Sequence, residues 1–464
     1  MHPTRNTLHS FNILLISTYE LGRQPFGLAS PAAWLRSEGF SVTCADLAVD
    51  SFPIEALPKA DLVAFYVPMH TATRLAVQYL HHVRELNPGA HVCFFGLYAP
   101  MNEVYLRRLG AETILGGEFE AGLVSLSYRL LNGNRNVVRQ PEPLISLDRQ
   151  DFIVPDRDDL TDLSRYARLR INDSKGKVVG YTEASRGCKH MCRHCPVVPV
   201  YNGRFRVVQA DVVLADIRQQ VAAGAEHITF GDPDFFNGIG HAIPIVKALH
   251  ENFPKLTYDV TVKIEHLLQY DNCLPVLKQT GCILVTSAVE SIDDEILTIL
   301  DKGHTREDFI QVVERCKQIG LTLNPTFIPF MPWTTLEGYH ELLLLLYEMD
   351  LVDHVSPIQL AIRLLIPEGS RLMELPETRK RVLSFNDELL MYEWRHQDRC
   401  VDELQAKVFS IVNAANSRNA TRREIFGEIW KEANRTLDCD GLLPEMPDVR
   451  PRATVPYLDE PWYC

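Results

Sequence analysis

The sequence has no excess of basic residues: 47 Lys+Arg stand against 60 Asp+Glu, a formal net charge of −13. Extended contact with a phosphate backbone needs clustered cations that release counterions, so nucleic acid is not an expected partner. Long hydrophobic runs are missing too. The N-terminal apolar core is only Ile13-Leu14-Leu15-Ile16, too short for a signal peptide. The leucine run Leu342 to Leu346 lies between Glu341 and Glu348, and spanning a bilayer takes roughly 20 apolar residues. A cytoplasmic protein with no membrane partner is the expectation. No internal repeat is visible, and no G-x-G-x-x-G follows the first apolar run, which leaves a dinucleotide site without support. What the chain does have is length for about three domains at roughly 150 residues each. It also has 46% apolar residues to fill their cores, and 11 cysteines. Disulfides are rare in a reducing compartment, so an odd number of cysteines turns attention to metal ligands and reactive thiols.

Residues 11–17 form a buried-strand run that ends in a loop with Gly22, Pro25 and Gly27. Further strands are expected at Ser41 to Ala45, Asp61 to Val67, His91 to Phe95 and up to Leu115, with helical patterns between them at Ala32 to Glu38 and Thr71 to Leu86. Alternation of this kind predicts a Rossmann-like, doubly wound parallel sheet over residues 1–138, whose ligands bind at the C-terminal strand ends. A Pro- and Asp-rich linker follows over 139–175. A second series of strands begins near Val178 to Thr182 and continues at His227 to Phe230, Tyr258 to Val262, Ile283 to Ala288, Thr322 to Phe327 and Ser356 to Arg363. Six βα units predict a partial or closed TIM-type βα barrel over 176–375, with chemistry at its C-terminal rim. Residues 376–464 read as a mainly helical region, with helical patterns at Asn386 to Met391 and Val401 to Trp430, and a tail.

The sharpest signal is Arg186-Gly-Cys188-Lys-His-Met-Cys192-Arg-His-Cys195-Pro, just after the first barrel strand. Eleven scattered cysteines would give on the order of 0.006 chance matches to C-x3-C-x2-C. Three thiolates in so tight a loop can hold three corners of a 4Fe-4S cluster and leave the fourth iron open to a non-protein ligand. The alternative is zinc, with His190 or His194 as fourth ligand, although structural zinc sites usually pair two knuckles or a knuckle with a histidine pair. Arg186, Lys189, Arg193, Arg204 and Arg206 concentrate positive charge here, for balancing a cluster, binding an anionic substrate or simply facing solvent. Cys44, Cys93, Cys273, Cys282, Cys316, Cys400 and Cys439 lack metal spacing and read mostly as buried small hydrophobes.

At the cysteine loop the chain resembles the radical SAM superfamily, over about residues 176 to 370. Weaker motifs follow in the same order: Phe230-Gly231-Asp232-Pro233-Asp234, Lys263 and Glu265, Ala288-Val289-Glu290-Ser291, Lys302-Gly303-His304-Thr305, and Phe327-Ile328-Pro329-Phe330. The resemblance implies a 4Fe-4S cluster on Cys188, Cys192 and Cys195. It also implies S-adenosylmethionine (SAM) contacts from His194, Gly231, Asp232, Lys263, Glu265, Glu290, Ser291, Phe327 and Ile328. Here His194 replaces an aromatic residue and Ala288 the usual glycine. A 5′-deoxyadenosyl radical, a flavodoxin- or ferredoxin-type electron donor and a small-molecule substrate follow from it.

A Rossmann-like domain ahead of such a barrel resembles the cobalamin-binding arrangement, which implies cobalamin at the strand ends Ser17, Pro68, His70, Thr71, Gly96, Gly116, Gly117 and Glu118. The D-x-H-x-x-G signature of a cobalt-ligating histidine is absent, as is common in such radical SAM enzymes. Pro155-Asp-Arg157 with Tyr166 also resembles that class. So do Arg363-Leu-Leu-Ile-Pro367-Glu-Gly-Ser370 and Pro461-Trp-Tyr-Cys464, close to a group whose tails read Cys-Cys-Ala-Glu-Pro or Cys-selenocysteine-Ala-Glu-Pro. The chain stops at the first cysteine, either because a UGA selenocysteine codon was read as a stop or as a natural end with a harmless exposed thiol; UAA or UAG next would contradict the former. The expected activity is radical SAM chemistry with cobalamin, methylating an unactivated carbon. Alternatives are a non-methylating rearrangement or C–C bond formation, or a zinc-stabilised binding module. A tRNA methylthiotransferase is disfavoured, because the N-terminal part lacks its own cysteine triad and no basic module is appended.

Overall fold

Strand β1 (Asn12–Ser17) is apolar on both faces because it is covered on both. Ile13 and Leu15 pack with Leu28, Leu35, Leu123 and Leu126 of helices Phe26–Ser37 and Glu120–Leu131. Leu14 and Ile16 pack the other way, with Ala76, Leu80 and Val83 of helix His70–Leu86. The computed structural model describes residues 11–133, 141–171, 176–418, 420–437 and 455–459. Beside β1 lie β2 (Ser41–Asp46), β3 (Leu62–Tyr66), β4 (His91–Phe95) and β5 (Thr113–Gly117), all parallel in the order β2-β1-β3-β4-β5. The stretch expected to be only a linker adds a short parallel edge strand, β6 (Ile145–Ser146). The order reverses between β1 and β3, the switch point where such sheets open a crevice.

The second sheet begins with β7 (Arg168–Arg170), antiparallel to β8 (Lys177–Thr182). A small clasp, β9 (Ser185–Gly187) with β10 (Phe205–Val207), interrupts the series. Then come β11 (His227–Phe230), β12 (Thr257–Thr261), β13 (Cys282–Glu290) and β14 (Leu323–Phe327), parallel to β8 in the order β14-β13-β12-β11-β8. Five parallel strands make an open partial barrel. The sixth expected strand is not one: Pro357–Leu360 forms a 3-10 turn, and only a single bridge, Phe330 to Arg363, continues the sheet. Pro357 has no N–H to give a sheet, and its fixed φ suits the first position of the turn.

The C-terminal region carries two helices, Arg399–Arg418 and Arg422–Thr436, the second started by a Thr421/Glu424 capping box. Before them, where a helix was expected around Asn386, the chain forms a hairpin of β15 (Val382–Asn386) and β16 (Met391–Trp394). Leu390 at its turn has φ +52°, which a helix does not allow. Among the described residues no helix is long and apolar enough to cross a membrane. Cys439 and the Cys464 tail lie outside the described residues.

Candidate active site

The cysteine loop leaves the end of β8 through the β9/β10 clasp. Gly187 turns it with φ +74°, and a Cβ there would stand 2.3 Å from Tyr201 Cδ1 and 2.6 Å from the Arg204 carbonyl oxygen. Asn237 braces the next step: its Nδ2 donates to the Gly187 carbonyl (3.4 Å), and its Oδ1 accepts from the Lys189 N–H (3.3 Å) and the Cys188 thiol (3.8 Å). Further along, Arg371 donates to the Met191 carbonyl at 2.7 Å, and the Arg193 carbonyl accepts from Leu372 N–H at 3.2 Å. The loop backbone is therefore fixed at every second residue. Gly187→Ala is expected to lower iron loading and to cost about 1–2 kcal/mol for the left-handed backbone alone. Iron per chain and a thermal melt check this, and full loading would contradict it.

Burial pushes the Cys188 thiol up and the Cys195 thiol up to about 12, and Cys195 also feels the charge of both other sulfurs. Thiols raised this way lose their protons only with a cation among them, which a bound metal would supply. Each zinc candidate has one ring nitrogen engaged, His194 Nε2 at 3.1 Å from Glu290 Oε1 and His190 Nδ1 at 3.1 Å from Lys263 Nζ, while His190 Nε2 lies 3.4 Å from Asp234 Oδ2. Ligating atoms of Cys188, His190 and Asp234 do sit within 4.8 Å of one another, so the rim beside the loop is rich in donors.

That rim is a set of paired charges. Glu290, at φ +70°, is buried, yet Lys302 (3.5 Å) and His194 hold its carboxyl down to about 2. Lys263 Nζ meets Glu265 Oε2 at 3.0 Å. His304 is buried among Lys302, Lys263 and Glu290; burial and the two lysines lower it to about 4, so its imidazole is neutral. Gly231 is required because the Tyr181 hydroxyl comes within 1.9 Å of where its Cβ would be. Asp232 faces away from the rim, accepting from Ala184 N–H (2.9 Å) and the Ser185 hydroxyl (2.5 Å). Asp234, two residues on, reaches the rim instead and takes His266 Nδ1 at 2.6 Å. Sequence reasoning missed Asp234, Asn237 and His266 as site residues. The alternation Asp232, Pro233, Asp234 and the i, i+3 spacing of Lys263 and His266 were the available signals. Ser291 caps a local turn, accepting from Asp293 N–H at 3.1 Å. Phe327 turns outward, edge-to-face with Phe309, while half-buried Ile328 donates its N–H to the Glu290 carbonyl.

The strand ends of the first sheet lie directly against this loop. Tyr98 and Met101 pack with Val197, Val200 and Tyr201, and with Met69, Leu97, Cys188 and Cys195. Ser17 is buried, and Pro68 and Thr71 are half-buried. His70 Nε2 stands 2.5 Å from the Leu389 carbonyl oxygen of the β15/β16 turn. Gly96 takes φ +110° under the Tyr66 ring, Gly116 abuts Pro100, and Gly117 abuts the Ser146 carbonyl. Glu118 accepts from the Tyr201 hydroxyl at 3.1 Å.

Arg186 joins the two sheets. Expected to serve a cluster, an anion or a solvated face, it instead meets Glu120 (2.7 Å), Glu183 (2.6 Å) and Glu118 (3.4 Å), with Phe26, Phe119 and Phe152 rings 5.0–5.5 Å away. Arg193 is likewise spent on the Thr298 and Ile299 carbonyls, and Arg206 on that of Leu147. Arg157 binds Asp216 with two nitrogens (2.8 and 3.0 Å), Gln24 and the Tyr181 carbonyl, tying the linker to both sheets. The Tyr166 hydroxyl donates to Asp46 at 2.9 Å.

Burial lifts Asp232 from 3.8 and Glu118 from 4.5 to about 7. The folded state then holds protons that the unfolded state has released, so their contribution is full below about pH 4 and is lost as pH rises through 7. Asp232→Asn, which keeps the acceptor oxygen, is expected to flatten the decline of melting temperature between pH 4 and 7. An unchanged profile would count against it.

Residues 182–346 match the Radical SAM superfamily model. An uncharacterised methyltransferase of Pyrococcus horikoshii is 23% identical over 386 residues, 78% of this chain and 80% of that protein. A tRNA-2-methylthio-N(6)-dimethylallyladenosine synthase of Oceanobacillus iheyensis is 25% identical over 193 residues, only 35% of its length. Among solved structures, the cobalamin-dependent SAM radical enzyme OxsB superposes with TM-score 0.70 at 14% identity, covering 92% of this chain and 72% of that one. The radical SAM methyltransferase TsrM from Kitasatospora setae gives 0.55 at 18%, covering 74% and 70%. The segment that carries the three cysteines and strands β11 to β14 thus matches the radical SAM superfamily, and the chain shares the overall fold of OxsB.

Proposed function

We propose that this protein holds a 4Fe-4S cluster on Cys188, Cys192 and Cys195, binds SAM at the adjoining rim and, with cobalamin between its two sheets, methylates an unactivated carbon of a small molecule. One observation carries the reading: the cysteine loop lies against the strand ends of the first sheet, through Tyr98, Met101, Val200 and Tyr201. A cluster bound there supplies an electron to the sulfonium of SAM, yielding methionine and a 5′-deoxyadenosyl radical. The chain's own residues do the positioning. Lys263, Glu265, Glu290 and Ser291 supply paired polar groups for SAM's amino acid and ribose, and the apolar contact between the sheets keeps water from the reacting atoms.

Cobalamin supplies a methyl carrier. OxsB binds cobalamin and SAM, and TsrM binds cobalamin and a 4Fe-4S cluster; the same cofactors are proposed here, with a flavodoxin- or ferredoxin-type electron donor. His70, held by the Leu389 carbonyl, is not offered as a cobalt ligand, in keeping with the missing D-x-H-x-x-G. A second reading, radical chemistry without methyl transfer, is favoured by the strand-end glycines being filled from within, Gly116 by Pro100 and Gly117 by Ser146. SAM with a labelled methyl group separates the two. Labelled product with S-adenosylhomocysteine and bound corrinoid is expected; deoxyadenosine without corrinoid or label would favour the second.

A further inference from the structure

Parallel barrels usually fill their concave side with branched apolar residues, but here, above Leu284, that side carries hydroxyls and an amide. The alternation along the strands settles which residues face inward. Ile228, Val260, Val285 and Phe327 belong to the core that packs on the outer helices, Phe327 against Phe309 of helix Arg306–Ile319. Their neighbours Thr261, Thr286, Asn324 and Thr326 therefore face the lumen. The register places Thr261 beside Thr286 and Thr286 beside Asn324. All four are half-buried although their strands lie inside the sheet, so they border solvent-accessible space.

The hydrogen bonds show what this wall has to spare. Asn324 Nδ2 donates to Thr286 Oγ1 at 3.3 Å, and the Thr261 and Thr326 hydroxyls have no protein partner among the described residues. The charges above and below are paired. At the floor, His227 Nε2 stands 2.8 Å from Asp259 Oδ1, which also accepts from Thr229 at 2.6 Å. At the rim, Lys263 meets Glu265 and Lys302 meets Glu290. Spare capacity in the wall is thus neutral: hydroxyls and an amide. An apolar guest would strand these groups without partners, and an ionic one would find no free counter-charge in the wall.

We infer that the lumen accepts an uncharged, hydroxyl- or amide-rich small molecule. This rests on the radical SAM reading and names the substrate class for it. The test uses anaerobically reconstituted holoprotein with SAM and reductant, and a deproteinised extract of the source cells split into neutral hydrophilic, cationic, anionic and apolar fractions. The neutral hydrophilic fraction is expected to raise deoxyadenosine formation several-fold over the rate without extract. Thr261→Val with Thr326→Val should abolish that stimulation and leave the rate without extract unchanged. Stimulation only by a charged or apolar fraction, no response to the neutral one, or full stimulation of the double variant would overturn the inference. Absence of deoxyadenosine in every arm would overturn the radical reading along with it.

Discussion

Cys192→Ala is expected to strip the anaerobically purified protein of its cluster, taking iron and sulfide from about four each per chain to near zero and deoxyadenosine formation to background. The size of the effect follows from the loop. Cys192 is buried, in the turn closed by Cys195 N–H to the Cys192 carbonyl, and two remaining thiolates cannot hold three corners of a cluster. Alanine fills less space than cysteine and adds no charge, so the fold should persist. Far-UV circular dichroism separates loss of the cluster from loss of structure. Iron retained at the original level in Cys192→Ala would contradict the assignment.

Arg186→Met is expected to produce a large loss of stability, about 3–5 kcal/mol, the usual effect of removing one member of a buried ion group. The guanidinium is the cation shared by Glu118, Glu120 and Glu183, all buried or nearly so. Without it, three carboxyls remain in a dry interface lined by Phe26, Phe119 and Phe152. Glu118, already pushed up to about 7, can then take a proton, so the loss should be smaller at pH 6 than at pH 8. Urea unfolding midpoints at the two pH values measure this. A loss under about 1 kcal/mol, the range of an exposed pair, would show that Arg186 is not buried among these groups.

The parts legible in the sequence share one property: their signal is local. The C-x3-C-x2-C spacing is complete within eight residues, from Cys188 to Cys195. The unbroken apolar runs of β1 and β3 announce strands covered on both faces, and the threonine cap at Thr305 announces the helix that follows. What stayed illegible depends on partners far away in the chain. Nothing near Arg186 reveals that its counter-charges lie at Glu118 and Glu120, just past β5 of the other sheet. Likewise Asp232 and Asp234 look interchangeable until Ser185 claims the first and His266 the second. Residues Ser356 to Arg363 alternate like a strand, but Pro357 starts a 3-10 turn. The hairpin Val382–Trp394 was hidden because Asn386 to Met391 has a helix-like composition, whereas cross-strand pairing of Phe385 with Tyr392 decides its form.

The central claim is that Cys188, Cys192 and Cys195 hold a cluster that cleaves SAM. Reconstitution under anaerobic conditions with iron and sulfide, then incubation with SAM and a low-potential reductant, tests it most directly. Chromatography should show 5′-deoxyadenosine and methionine forming together in equal amounts, dependent on the reductant and absent in Cys192→Ala. Protein that instead carries zinc without acid-labile sulfide, and leaves SAM intact, would contradict the account.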